Sequence, residues 1–186
     1  MSKIKLFFLK YKNTKLGFTL LETLVAISIF TLSVLALLVI LSQGISDTNF
    51  AKNKIVATYL AQSGVERMRN TRDNYMLYDA TDAQAGWESF TQGVDDWCEP
   101  NGCYMNEELD FVACDPDPEG CLPMLYDSDT GVYGYSLGVD SGFVMKITIE
   151  SVSVNELKIN STVTWNVGSN TQQVEFTDNL FNWIEQ

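Results

Sequence analysis

Glu22 is the one charged residue in an otherwise uncharged run from Phe18 to Leu41. A carboxylate at the centre of a membrane-spanning helix costs about 2.5–3.5 kcal/mol, so it indicates a function and needs a partner. The run contains no Lys or Arg that could serve. A cut after Gly17 would create an α-amine on Phe18, cationic near neutral pH and one helical turn from Glu22. If the chain is cut there, Glu22 gains a cationic partner, which is the amine of its own chain or the amine of a neighbouring copy packed in the same membrane.

The four cysteines are the second set of residues that could do chemistry. Cys98 and Cys103 flank "EPNG", and Cys114 and Cys121 flank "DPDPEG", both typical of turns that bring chain ends together. The spacing favours the two local disulfides, with the nested pairing Cys98–Cys121 and Cys103–Cys114 as the alternative. A zinc site is disfavoured, because structural zinc sites usually have cysteine pairs separated by two to four residues, whereas six residues separate Cys114 from Cys121 and the expected compartment is oxidising.

Other patterns give no support for an enzyme. The chain has no histidine, and we find no Gly-rich phosphate loop and no nucleophile elbow. We therefore predict no catalytic residue, cofactor or metal. Asp127 and Asp129 resemble the opening of a calcium loop, but no Glu closes it, which favours an exposed turn and leaves calcium binding as the alternative.

Charge is distributed unevenly along the chain on either side of the apolar run that follows Glu22. Residues 24–41 have no charge, Pro or Gly. The length of this run is about the minimum for a membrane-spanning helix. Residues 1–17 carry five lysines and no acid, which favours a cytoplasmic N-terminus and places residues 45–186 outside, where disulfides persist. A plain single-pass anchor explains the lysines and the apolar run but leaves Glu22 unexplained.

The part after the apolar run is acidic, with a formal net charge of −12 for the whole chain and no Lys or Arg between Asp73 and Lys146. Such a surface repels phosphate backbones, so we expect no direct nucleic-acid binding. Arg67, Arg69 and Arg72 are interpreted as a solvated face, with an interface to a neighbour's acidic surface as the alternative.

Two hydrophobic periodicities predict a helix and a sheet. Within residues 45–74 a stripe recurs at helical spacing: Val56, Ala57, Leu60, Ala61, Gly64 and Met68. The last third alternates with a period of two and predicts three antiparallel strands. The inward residues of these strands are Phe143, Met145, Ile147 and Ile149, then Ile159, Ser161, Val163, Trp165 and Val167, then Val174 and Phe176.

The stretch "KLGFTLLETLVAISI" resembles the leader-peptidase site of type IV prepilins and type II secretion pseudopilins, residue by residue from Gly17 to Glu22. The ending "VEFTDNLFNW" is similar to minor pilins. The resemblance implies a membrane-embedded prepilin peptidase that cuts between Gly17 and Phe18 and methylates the Phe18 amine. It also implies that Glu22 guides docking into a filament. No Pro interrupts the apolar run, so the helix is expected to stay continuous or to loosen near Thr31 and Ser33.

The resemblance implies an α+β, pilin-like fold in which a long N-terminal helix packs on a small antiparallel sheet beside a disulfide-bearing variable region. The expected organisation begins with a cleaved basic leader (1–17) and a transmembrane and filament-core helix (18–44). The amphipathic continuation of the helix follows (45–74). A variable acidic region with the cysteines (75–142) then leads to the antiparallel strands and the C-terminal segment (143–186).

The function implied is that of a structural subunit, a minor pilin or pseudopilin, of a type IV pilus-like or type II secretion-like filament. Its expected partners are the prepilin peptidase, other pilin subunits in a homo- or hetero-filament, and the inner-membrane assembly machinery. The chain would lie in the inner membrane before assembly and in an extracellular or periplasmic filament afterwards. The alternatives are a tip-located adhesive or uptake module on the same scaffold and a plain anchored surface protein. The sequence does not distinguish pilus, secretion and competence systems.

Overall fold

The computed structural model describes residues 17–79, 82–108, 110–116 and 120–183. The predicted leader lies outside the described residues apart from Gly17. The chain divides into two compact units, Met1–Asp47 and Thr48–Gln186, and each is described by itself.

The first element is the helix α1, Leu20–Asn74, which is followed by a short π-helical segment, Tyr75–Asp79. Thr31 and Ser33 donate hydroxyl hydrogen bonds to the carbonyls of Ser28 and Ile29, at 2.9 and 2.8 Å, and the helix passes both without interruption. Of the two expectations for the apolar run, the continuous helix is the one observed.

The second unit contains a second helix, α2, Ala83–Cys98, and a sheet of seven strands. The strands are β1 Cys103–Met105, β2 Phe111–Ala113, β3 Pro123–Asp127, β4 Val132–Gly134, β5 Val139–Ser153, β6 Glu156–Val167 and β7 Asn170–Phe181. All pairings are antiparallel. β5 is central: it pairs along its length with β6, which pairs with β7, and on its other side with β1 and β3.

The second half of α1 packs on this sheet through the predicted stripe. Ala57, Leu60, Ala61, Gly64 and Met68 are buried, whereas Val56 is half-buried. Ala57, Leu60 and Ala61 share a core cluster with sheet residues of β3, β5 and β6: Met124, Phe143, Met145, Val163 and Trp165. The α+β arrangement expected from the resemblance, a long helix packed on an antiparallel sheet with disulfides, is confirmed.

Gly64 marks the closest approach of α1 to the sheet. A Cβ atom placed on it would lie 2.5 Å from the Ser161 hydroxyl oxygen and 3.1 Å from the Met145 sulfur. The absence of a side chain at this position therefore sets the spacing between the helix and the strands β5 and β6.

The structure adds elements where the sequence predicted none. Residues 75–142, expected as a variable region, contain α2 and the four strands β1 to β4. α2 buries Trp87, Phe90 and Val94 against Met68 and the sheet residues Ile147, Ile159 and Leu180. The three predicted C-terminal strands are present as β5, β6 and β7, but Val167 and Phe176, predicted inward, are exposed.

Candidate processing and assembly site

The start of α1 is built by Thr19 and Glu22. The Thr19 hydroxyl accepts a hydrogen bond from the Glu22 backbone N–H at 3.3 Å, and its carbonyl accepts one from the Thr23 N–H at 3.2 Å. Thr19 is therefore the N-terminal cap, and Glu22 occupies the third helical position of a Thr-x-x-Glu capping sequence. A carboxylate there is also favoured by the positive end of the helix dipole.

This geometry gives Glu22 a local role that the sequence reasoning missed. The signal was present in "FTLLE", since a Thr followed three residues later by a Glu before an apolar run is the usual mark of a helix start. The helix-start role and the ion-pair role are compatible, because the bond to Thr19 uses the backbone N–H of Glu22 and not its carboxylate.

Among the described residues of the first unit, the apolar part of α1 is exposed along its whole length. Phe18 is 80 % exposed, and every residue from Gly17 to Phe50 is exposed in the isolated chain. Among the residues that the structure describes, one helix is long and apolar enough to cross a membrane. An apolar surface of this extent needs lipid or other protein around it.

Residues 12–38 match the family model for the prokaryotic N-terminal methylation motif. The chain carries the type IV prepilin and pseudopilin signature. The matched segment contains Gly17, Phe18 and Glu22, the three residues singled out for processing and assembly. Searches of the curated proteins and of the solved structures found no match to the chain. The motif supports a pilin-like or pseudopilin precursor that is anchored in the membrane before assembly and is a structural subunit rather than an enzyme.

The prepilin-like chain has both of its local cysteine pairs in disulfides. Cys98 is joined to Cys103 and Cys114 to Cys121, with Cα–Cα distances of 4.6 and 4.3 Å. No cysteine is free, so the zinc alternative has no thiols to use. The first bridge ties the end of α2 to the start of β1. The second closes the loop in which Asp115 and Gly120 form a β-bridge.

The suspected calcium loop is a hydrogen-bonded turn. The Asp127 carboxylate accepts from the Asp129 backbone N–H at 2.9 Å and from the Thr130 hydroxyl at 2.7 Å. These bonds, the hydroxyl of Thr130 first, lower the pKa of the Asp127 carboxyl. Within the described part of the chain, no three acidic, His or Cys side chains are grouped so as to hold a metal ion.

A further carboxylate, Glu107, anchors a distant loop. Its Oε1 accepts from the backbone N–H of Tyr135, and from the backbone N–H and hydroxyl of Ser136 at 3.1 and 3.3 Å. The Tyr135 bond is the largest cause of a lowered Glu107 pKa. The interaction joins the β1–β2 hairpin to the loop after β4. No local pattern predicts it, because 28 residues separate the partners.

The arginine cluster is engaged by its own chain. Arg69 pairs with Glu66 and with Asp178 of β7, both at 2.6 Å, and the Asp178 hydrogen bond raises the Arg69 pKa. Arg72 binds Asp73 at 2.7 Å, and Arg67 donates to the Asn106 carbonyl at 2.9 Å. Arg69 thus ties α1 to the sheet and Arg67 ties it to the β1–β2 hairpin, a role that neither of the two expectations included, whereas the partner of Arg72 lies on α1 itself.

Proposed function

We propose that the chain is a structural subunit, a minor pilin or pseudopilin, of a type IV pilus-like or type II secretion-like filament. A prepilin peptidase cuts it between Gly17 and Phe18 and methylates the new amine. The observation that carries the proposal is the methylation motif at residues 12–38, which runs directly into an exposed apolar helix that bears a single carboxylate.

Assembly follows from the energetics of this helix. In a lone processed subunit, the Glu22 carboxylate lies in an apolar segment that contains no Lys or Arg, and the cation it can reach is the Phe18 amine of its own chain. In a filament, the Phe18 amine of a neighbouring subunit supplies the opposite charge, and the apolar surfaces of the packed helices cover one another. The ion pair favours one register of neighbouring helices, so its main contribution is specificity of docking.

The partners in this proposal are the peptidase, other pilin subunits and the inner-membrane assembly machinery. The subunit begins as a single-pass inner-membrane protein with residues 45–186 on the outer side. It ends in a periplasmic or extracellular filament, where the two disulfides are stable because the environment is oxidising.

Processing is tested with a matched pair of glycine variants, Gly17→Val and Gly44→Val. A Cβ at either position meets no atom within 4 Å, so neither change has a packing cost inside the chain. With the full chain and a prepilin peptidase in the same membranes, wild type and Gly44→Val should yield a product that begins at methylated Phe18. Gly17→Val should stay uncut, because a side chain there keeps the backbone out of the peptidase cleft. A mature N-terminus at Met1 or after residue 41 in the wild type would rule out the assignment.

A further inference from the structure

A cleft of about 380 Å³ lies where the end of α1, the π-helical segment, the end of α2 and β2 come together. Its volume is in the range of small-molecule sites, which are about 300–1,000 Å³. Three of its five lining residues are aromatic and one is a carboxylate: Thr71, Tyr75, Trp97, Asp110 and Phe111. The cleft belongs to the second unit and lies far along the chain from the processing site.

The three rings differ in how they are held. Tyr75 and Phe111 are half-buried and pack against the core cluster formed by α2 and the sheet. Tyr75 also contacts Phe90 at a centroid distance of 6.2 Å. Trp97 is 52 % exposed, a large aromatic surface left open to solvent beside two fixed rings. Trp97 therefore offers an open apolar ring face to the cleft, and Tyr75 and Phe111 are the other aromatic residues of its lining.

The Cys98–Cys103 disulfide fixes the distance across the cleft. Trp97 directly precedes Cys98, and Cys103 begins β1, which pairs with β2. In that pairing Met105 lies opposite Phe111. The bridge therefore connects the end of α2, where Trp97 lies, to β1, and β1 in turn pairs with β2, which carries Phe111. This chain of links restrains both sides of the cleft and lowers the ordering cost for a ligand that enters between them.

Charge decides which ligand fits. Asp110 is exposed, forms no ion pair among the described residues, and has its backbone held by Asn106 through bonds of 2.9 and 3.1 Å. The neighbouring cation, Arg72, is occupied by Asp73. The sequence has no further Lys or Arg until Lys146. The Thr71 hydroxyl donates to the Arg67 carbonyl, so it is not a free donor for an anion or a sugar. The cleft is negative, aromatic and poor in donors.

We propose that this cleft binds a weakly hydrated organic cation of the trimethylammonium class, with Trp97, Tyr75 and Phe111 against the methyl groups and Asp110 opposite the charge. Ring faces attract cations, and alkylammonium groups lose little hydration when they enter an aromatic cleft. A small metal ion would need several oxygen ligands, and the cleft provides one carboxylate. The binding site is independent of the filament proposal, since it uses none of the residues of the N-terminal motif.

The test uses the full chain in maltoside micelles, labelled with fluorotryptophan, and choline as the probe. The four tryptophans give four fluorine resonances, and Trp97→Phe identifies that of Trp97. We expect choline to shift the Trp97 resonance saturably and to leave the other three in place, whereas dimethylbutanol, the uncharged carbon isostere, shifts it far less. Asp110→Asn should weaken choline binding at least about threefold, and the exposed-acid control Asp129→Asn should not.

Trp97→Ala should weaken binding about tenfold, read from the ligand's own NMR signals, with the three other resonances reporting that the fold is intact. Equal shifts with choline and dimethylbutanol would overturn the proposal, because the cleft would then be only apolar. A saturable shift with glucose and none with choline would also overturn it and assign the cleft to a sugar. Unchanged choline affinity in Asp110→Asn would show that the Asp110 carboxylate is not the partner of the bound cation, and it would contradict the proposal.

Discussion

At the scale of single residues, Glu22 combines two roles. Its backbone N–H is bound by Thr19, which places the carboxylate at the favourable end of the helix dipole. The same carboxylate lies in the segment that matches the methylation motif. A cap alone does not require a charge, since Gln serves at the same position of a capping box. The choice of Glu over Gln is therefore the feature that the proposed ion pair with a Phe18 amine explains.

Gly64 and Ser161 give a stability prediction at the same scale. Gly64→Ala places a methyl group 2.5 Å from the Ser161 Oγ, and overpacking costs about 1–3 kcal/mol against a helix-propensity gain of about 1 kcal/mol. We expect a net loss of about 1 kcal/mol in the free energy of unfolding. The control is Gly93→Ala in α2, where the nearest atom to a new Cβ is 3.9 Å away, and it should stabilise the protein.

The Ser161 hydroxyl itself is buried and has no hydrogen-bond partner. Ser161→Ala should therefore be neutral or stabilising, and it should restore much of the stability lost in Gly64→Ala because it removes the atom in the way. Denaturant unfolding in one detergent measures all of these effects when it compares five proteins: wild type, the three single variants and the Gly64→Ala/Ser161→Ala double variant. Equal stability of Gly64→Ala and Gly93→Ala would show that the helix–sheet spacing is not set at Gly64.

At the scale of elements, the periodic spacing of hydrophobic residues is what made the helix α1 and the strands β5 and β6 predictable from the sequence. The stripe on α1 and the alternation in β5 and β6 each extend over enough residues for the period to be read, and the structure buries most of those positions. β1, β2 and β4 have three residues each, too few for any period. β1 pairs with β2 and with β5, and β4 pairs with β3. Local patterns do not reveal these partners.

The helix α2 was missed although a signal existed. Trp87, Phe90, Val94 and Cys98 recur at helical spacing and are all buried. The side chain of Asp82 caps the helix by accepting from the Ala85 N–H at 2.8 Å. Two glycines obscured the pattern. Gly86 is needed because a Cβ there would lie 2.6 Å from the Tyr75 carbonyl oxygen, a constraint that only the tertiary structure shows.

Glu107 provides a pH prediction at this scale. Backbone donors lower its pKa, so the carboxylate contributes stability above its ordinary pKa and loses that contribution as pH falls through the lowered value. Glu107→Gln should lower the unfolding temperature at pH values near 7, and the difference from wild type should narrow in acid, below the ordinary Glu value of about 4.3.

The adjacent Glu108→Gln serves as the control for this effect. The bonds to the loop after β4 come from Glu107, so the Glu108 variant should follow the wild type across the pH series. Thermal unfolding of the three proteins from neutral to acid pH checks the prediction. A Glu107→Gln deficit that stays constant down to strongly acid pH would show that the carboxylate's charge is not what holds the loop.

At the scale of the whole molecule, the two units differ in how far their features could be predicted from the sequence. The first unit is an exposed apolar helix with the prepilin signature, and its features could be read from the sequence because they depend on residue types at fixed spacing. The second unit is acidic, stapled by two disulfides, and carries the aromatic cleft around Trp97. The cleft could not be predicted, since its walls come from residues brought together only by the fold.

The central claim is that the charge of Glu22 directs assembly into a filament. The direct measurement is the amount of subunit in filaments sheared from cells, divided by the amount in the membrane, for wild type, Glu22→Gln and Glu22→Leu. On membrane-insertion scales, a carboxylate within a membrane-spanning helix costs about 2.5–3.5 kcal/mol. A free-energy difference of about 1.4 kcal/mol corresponds to a tenfold change in an equilibrium constant.

Removal of the charge should not hinder insertion or cleavage, but both variants lose the attraction to a neighbour's amine. We therefore expect sheared-fraction ratios at least about tenfold below wild type for both, with normal membrane levels and a mature N-terminus at Phe18. Glu22→Gln is the decisive variant because it keeps the capping geometry and lacks the charge. Incorporation of Glu22→Gln at the wild-type level would contradict the account.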